Sequence, residues 1–154
     1  MDGKILELSR MSIDALPRPL VFTNGVFDVL HRGHVTYLAA ARALGAGLFV
    51  ALNSDASARM LGKGPDRPIN RAEDRALVLA ALESVTAVGI FDQRTPIELL
   101  ERVRPDIYVK GGDYTLDQLP EAEVMRRWGG STMIMPFVDG YSTTDLLRRV
   151  RSVA

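Results

Sequence analysis

The chain has 154 residues, 47% of them apolar, which suits one domain with a full hydrophobic core. Its 19 Lys and Arg balance its 19 Asp and Glu, so it lacks the basic excess of a non-specific nucleic-acid binder, and an anionic small molecule remains open to a local cluster. It contains no Cys, which excludes disulfides, thiolate nucleophiles and thiolate-rich zinc sites. The opening MDGKILELSR has no signal-peptide hydrophobic segment, and no apolar run is long enough to cross a bilayer. The expectation is a soluble cytoplasmic protein without nucleic-acid or membrane partners.

Strand and helix signals then alternate in chain order. PLVFTN (19–24) is a short apolar run entering an Asn-Gly turn, a buried strand. Residues 33–44 have helical periodicity, with Leu38, Ala41 and Leu44 available to one face and Gly45 as the stop. LFVALN (48–53) is a second strand and GKGPDRP (62–68) a loop. In the helix that follows, Asn70 is placed to cap and Glu73 to close a capping box. SVTAVGIF (84–91) is a strand, and TPIELLERV (95–103) a helix with Pro96 in its tolerant first turn. PDIYVKGGD (105–113) is a strand running into a double-Gly turn, PEAEVMRRW (120–128) a helix stopped by Gly129-Gly130, and STMIMPF (131–137) a fifth strand. YSTTDLLRRV (141–150) closes as a helix, Ser142 and Asp145 forming a second capping box.

Five short strands separated by helices predict an α/β fold: a doubly wound, five-stranded parallel sheet, Rossmann-like, in three α/β/α layers, spanning 1–154 as one domain. Ligands of such sheets lie beyond the C-terminal strand ends, near the switch point. That edge gathers residues 24–34, 53–68, 110–114 and 139–145. Apolar residues in 85–108 face either the core or a partner, the second arrangement giving a homodimer.

His31 and His34 are the only histidines, three residues apart at the head of the first long helix. Zinc usually takes three protein ligands, so a metal reading needs Asp28 as the third. Two solvent-exposed residues at a helix start are the plain alternative. A phosphate site explains more: residues three apart share a helix face, Gly33 permits close approach, and the first turn offers unpaired N–H groups and a positive dipole end. Lys63 and Arg67 lie in the GKGPDRP loop, Lys110 and Asp113 in VKGGDY, and hydroxyls precede the last helix in GYSTTDLL. Each is ordinary alone; together they mark one anion site. Neither GxxxxGK[ST] nor GxGxxG is present, so this is not a P-loop or a classical dinucleotide fold.

NGVFDVLHRGH (24–34) resembles the signature of the nucleotidyltransferase superfamily typified by the cytidylyltransferases, with His31-Arg32-Gly33-His34 matching its HxGH element. The resemblance implies transfer of a nucleoside monophosphate from a nucleoside triphosphate to a phosphorylated acceptor, with release of pyrophosphate. LNSDASARMLGKGPDRPIN, VKGGDY and DGYSTTDLLRRV extend it over about residues 18–151, and are most similar to the members that act with ATP on a heptose 1-phosphate, feeding ADP-heptose to lipopolysaccharide. It implies that His31 and His34 contact the ATP phosphates and stabilise the transition state, and that Lys63 bridges the α-phosphate and the acceptor phosphate. It further implies a nucleotide site from Asn24, Gly25, Val26, Phe27, Asp28 and Gly33, with Asp28 mainly shaping the loop. Arg67 assists, Arg75 either contacts ligand or stabilises its helix, and Lys110, Gly112 and Asp113 lie near the sugar phosphate and nucleotide. Ser142, Thr143 and Thr144 receive the β- and γ-phosphates. Mg²⁺ accompanies ATP, no residue being singled out to hold it. Val26 replaces a threonine of several relatives, and Tyr141 stands where a smaller residue is usual. Because the chain carries no sugar kinase domain, a separate kinase is the expected pathway partner. The alternatives are a cytidylyltransferase for glycerol 3-phosphate or another small phosphorylated alcohol, and a non-catalytic nucleotide-binding module.

Overall fold

The computed structural model describes residues 2–153. Apolar runs become strands buried from both sides, as parallel sheets require. β3 (Gly47–Asn53) is buried along its whole length, and β2 (Leu20–Gly25) over its first four residues. With β1 (Ile5–Leu6), β4 (Ala87–Phe91), β5 (Ile107–Gly111) and β6 (Ser131–Met135) they form one sheet in the order β1-β4-β3-β2-β5-β6, every pairing parallel. The helices are α1 (Arg32–Arg42), α2 (Asp55–Arg59), α3 (Ala72–Ala80), α4 (Ile97–Val103), α5 (Pro120–Arg126) and α6 (Thr143–Val153).

Alternation along each strand divides the core between the two faces. Val21, Leu48, Val50, Leu52 and Val88 pack with Leu38 and Ala41 of α1 and with Ala76 and Leu79 of α3. Leu20, Phe22, Phe49, Ala51 and Phe91 pack with Leu99 and Leu100 of α4 and Met125 of α5. Phe22 and Phe49, register partners on β2 and β3, stack with ring centroids 5.4 Å apart. Each such side chain contributes about 1.5–3 kcal/mol by leaving water. The apolar residues of 85–108, among them Val88, Leu100 and Val103, belong to this core.

The doubly wound parallel architecture is as the alternation predicts, with six strands in place of five. The added strand is Ile5–Leu6, pairing with Val88 and Gly89 at the sheet edge. Two residues carry no readable periodicity, which is why it escapes the sequence. Gly89 makes room for the chain there: a Cβ on it would lie 2.6 Å from Leu8 Cδ2. α2 is a further unannounced element, capped by Ser54, whose Oγ accepts from Ser57 N.

Two capping expectations change. α3 starts after Arg71 with no side-chain cap, because Asn70 is engaged elsewhere: its Nδ2 donates to the Asp28 carbonyl at 3.0 Å. Ser142 does cap α6, accepting from Asp145 N at 3.0 Å, while the Asp145 carboxylate pairs with Arg148 instead of closing a box.

Arg75 explains how the loops over the sheet are held. It is 2% exposed. Its Nε donates to Asn70 O, Nη1 to Val26 O and Asn53 O, and Nη2 to Asp55 Oδ1, all at 2.7–2.9 Å. One guanidinium therefore ties α3 to the chain leaving β2 and β3. Arg75→Met leaves those carbonyls and Asp55 without their donor, and should destabilise the fold by about 3–5 kcal/mol in chemical denaturation. Arg75→Lys, which lacks the planar fork, should recover only a minor part.

Candidate active site

The strand order reverses at β2, with β3 and β4 on one side and β5 and β6 on the other. A crevice opens there, beyond the C-terminal ends of β2 and β5. The chain leaving β2 turns sharply into α1 through Phe27, which has φ 47°, a left-handed conformation disfavoured for any residue with a Cβ. Packing imposes it: Phe27 is 8% exposed and presents an edge contact to the His34 ring. Gly25 leaves space for it, since a Cβ there would lie 2.9 Å from a Phe27 ring carbon.

Asp28, next in the turn, is buried. Its carboxylate accepts from Ile69 N at 2.9 Å, Asn70 N at 3.0 Å and Arg67 Nε at 2.8 Å. Burial alone would raise its pKa, but the Asn70 and Ile69 amides, with the Arg67 hydrogen bond and charge, hold it below the usual carboxylate value. Asp28 therefore shapes the loop. The metal reading of Asp28 with the histidines has no support, since the described residues contain no group of three His, Asp or Glu placed to hold an ion.

The two histidines cap α1 reciprocally. His31 is the N-cap residue, and its Nδ1 accepts from Gly33 N at 3.1 Å. His34 Nδ1 accepts from His31 N at 3.3 Å. The rings stack with centroids 3.9 Å apart. With both Nδ1 atoms accepting, each neutral ring carries its proton on Nε2, so each offers one N–H donor. Burial, then the neighbouring His31 and Lys63, push the His34 pKa down to about 4, and burial lowers that of His31. Gly33 is required by this packing: a Cβ there would lie 2.8 Å from His31 Cε1 and 3.0 Å from Tyr141 Cβ.

Both rings line a cavity of about 610 Å³ that also takes in Asn24, Gly25, Val26, Phe27 and Asp28. Lys63, Arg67 and Lys110 reach the same cavity. Burial and the charges of Arg67 and Lys110 lower the Lys63 pKa, with Asp28 acting in the opposite direction. Ser142, Thr143 and Thr144 bring the start of α6 to the wall, Thr143 Oγ1 donating to Val29 O at 3.2 Å. Lys63, Arg67 and Lys110, two imidazole donors and a hydroxyl-bearing helix start thus converge on one space, a geometry suited to polyphosphate.

Three of the residues named from sequence fall outside that wall. Arg75 lies beneath it, holding the loops. Gly112 and Asp113 form the turn after β5, where Gly112 has φ 125° and Asp113 is exposed. Other residues enter unannounced. Arg94, Thr95 and Pro96 arrive beside Asn53 and Leu61 on the β3 and β4 side; Tyr114, Glu121 and Phe137 arrive on the β5 and β6 side. Glu121 is 7% exposed and forms part of the cavity wall. Tyr108 OH donates to Asn24 Oδ1 at 2.6 Å, leaving the Asn24 NH₂ for the cavity. Burial, followed by Glu121, Tyr37 and Tyr114, raises the Tyr108 pKa well above its ordinary value, so the donor is retained. None of these side chains stands in a motif, and Glu121 shares the first turn of α5 with a second acid, Glu123, so nothing local singles it out.

The histidine pair makes stability pH-dependent. Folding lowers the His34 pKa from 6.5 to about 4, so between those values the unfolded chain binds the extra proton and stability falls as pH falls. Thermal melts should lose Tm from about pH 7 to about pH 5, and His34→Asn, which keeps an acceptor for His31 N but cannot titrate, should flatten that loss. Gly33→Ala should weaken binding of inorganic tripolyphosphate, measured by calorimetry, because His31 and Tyr141 must move apart to admit the methyl group.

Known proteins resemble this chain over most of its length. A cytidylyltransferase-like family model matches residues 22–149. The chain is 59% identical to a D-beta-D-heptose 1-phosphate adenylyltransferase of Bordetella bronchiseptica, over 97% of this chain and 95% of that one. It is 53% identical to the bifunctional protein HldE of Magnetococcus marinus, matching 85% of this chain and 27% of that longer one. Among solved structures, a lipopolysaccharide core biosynthesis protein of Thermoplasma volcanium superposes with a TM-score of 0.65 at 28% identity, covering 80% of this chain and 98% of the other. The chain belongs to the cytidylyltransferase-like family.

Proposed function

We propose that the protein is an adenylyltransferase that transfers AMP from ATP to D-glycero-β-D-manno-heptose 1-phosphate, giving ADP-heptose and pyrophosphate. The observation that carries the chemistry is the pair of Nδ1-capped, neutral histidines facing a cationic cavity at the switch point. The near-full-length likeness to a heptose 1-phosphate adenylyltransferase supports the choice of acceptor.

In this reaction an acceptor phosphate oxygen attacks the α-phosphorus of ATP, the bond from that phosphorus to the bridging oxygen breaks, and pyrophosphate leaves with the electron pair. A phosphate monoester is already a competent nucleophile near neutral pH, so position and electrostatics supply the catalysis. The Nε2–H groups of His31 and His34 donate to phosphate oxygens as charge moves toward the leaving group. Because both rings are neutral donors, they stabilise that charge with no proton transferred. Lys63 and Arg67, on the loop tied to Asp28, offset the repulsion between the two reacting phosphates, with Lys110 adding charge from the end of β5. The start of α6, with Ser142, Thr143 and Thr144, receives the β- and γ-phosphates. Mg²⁺ accompanying ATP would neutralise part of the triphosphate charge, and no residue of this chain is assigned to hold it. A separate kinase acting on the sugar's anomeric hydroxyl would supply the acceptor.

Pyrophosphate release, with ATP and CTP each crossed against heptose 1-phosphate, glycerol 3-phosphate and choline phosphate, tests the reading. Turnover confined to ATP with heptose 1-phosphate is expected; a preference for CTP with glycerol 3-phosphate would replace it, and no turnover with any pair would leave a binding module. In the productive pair, His34→Asn should lower kcat by about 10²-fold to 10³-fold with little change in the KM for ATP, the pattern of a lost transition-state donor.

A further inference from the structure

Among the described residues, two buried side-chain polar atoms lack a hydrogen-bond partner, Thr132 Oγ1 and Asn53 Oδ1. Thr132 lies on the edge strand β6, whereas Asn53 ends β3 on the cavity wall, 2% exposed. The orientation of its amide is determined. Asn53 Nδ2 donates to Ser57 Oγ at 2.9 Å, and Ser57 Oγ spends its own proton on the Gln93 carbonyl at 2.5 Å. Turning the amide over would set Oδ1 against an oxygen with no proton left to give. Oδ1 is thereby kept as an acceptor, and leaving it without a donor is unfavourable.

The rest of the cavity indicates what kind of donor belongs there. Phosphate oxygens are themselves acceptors and are served by Lys63, Arg67, Lys110 and the histidines. On the far side, Tyr114 and Phe137 present rings that are 45% and 67% exposed, flat apolar faces suited to a nucleobase. The β3 and β4 side has no such rings; it combines Asn53 with Arg94 and Thr95. A phosphorylated polyol matches that side, its anion turned toward the cations and its hydroxyls toward Asn53.

We infer that Asn53 Oδ1 accepts a hydrogen bond from a hydroxyl of the acceptor sugar phosphate, making Asn53 a specificity-determining residue, with Ser57 as the positioning residue that holds its amide. The inference rests on the proposed adenylyl transfer. A site that leaves a buried acceptor unpaired discriminates strongly against a ligand lacking the matching hydroxyl.

The test measures KM for heptose 1-phosphate at saturating ATP, beside calorimetric binding of a non-hydrolysable ATP analogue. Asn53→Ala should raise the acceptor KM about tenfold and leave analogue binding within about twofold. Ser57→Ala, which frees the amide to turn, should raise the acceptor KM about threefold, and decides the matter should Asn53→Ala not fold. An unchanged acceptor KM, or analogue binding weakened by the same factor, overturns the assignment of Asn53 while adenylyl transfer stands. If the parent protein instead turns over another acceptor of the panel, the same measurements are read on that acceptor. No turnover with any acceptor overturns both.

Discussion

The carboxylate of Asp28 is the joint on which the site depends. It leaves β2 inside a turn strained at Phe27 and meets two backbone amides and one guanidinium from residues 67–70. Through it, a loop distant in sequence becomes part of the wall that carries the histidines. Three donors on a buried carboxylate also set a charge balance: the negative charge that keeps Arg67 in place partly offsets the repulsion among Lys63, Arg67 and Lys110.

The same economy governs the histidines. Their Nδ1 atoms satisfy amides that a helix start would otherwise leave unpaired, so the capping of α1 and the choice of tautomer are one event. The Nε2–H donors are consequently fixed before any ligand binds, which is the condition under which electrostatic stabilisation costs no reorganisation. Nearby cations reinforce this by disfavouring a protonated His34. Polar groups beneath the cavity follow a parallel rule: Arg75 consumes loop carbonyls, Tyr108 consumes one end of Asn24, and Ser57 consumes one end of Asn53. Side chains that could rotate are each given one allowed orientation.

Much of this was legible in the chain. Alternating apolar runs and helical periods specify a doubly wound parallel sheet, and that topology opens a crevice at the β2 and β5 ends. The HRGH spacing, the GKGPDRP loop and the Ser-Thr-Thr cap were readable because local motifs place their own atoms: a helix start orients residues three apart, whatever the rest of the fold does. Asn70 shows the limit of such reading. Its position before a helix suggests a cap, yet the buried Asp28 carboxylate and carbonyl offer stronger partners, and a tertiary contact overrides the local preference.

By itself, then, the sequence determined the layer architecture and most of the side chains that line the crevice at the C-terminal edge of the sheet, since these follow from periodicity and from spacings of a few residues. Only the tertiary structure decided the sixth strand, the structural employment of Arg75, and the arrival of Glu121, Arg94 and the unpaired Asn53 oxygen at the cavity. Those depend on which atoms find partners across the fold. Hydrogen-bond satisfaction in a dry interior is a property of the whole packing, and no linear pattern records it.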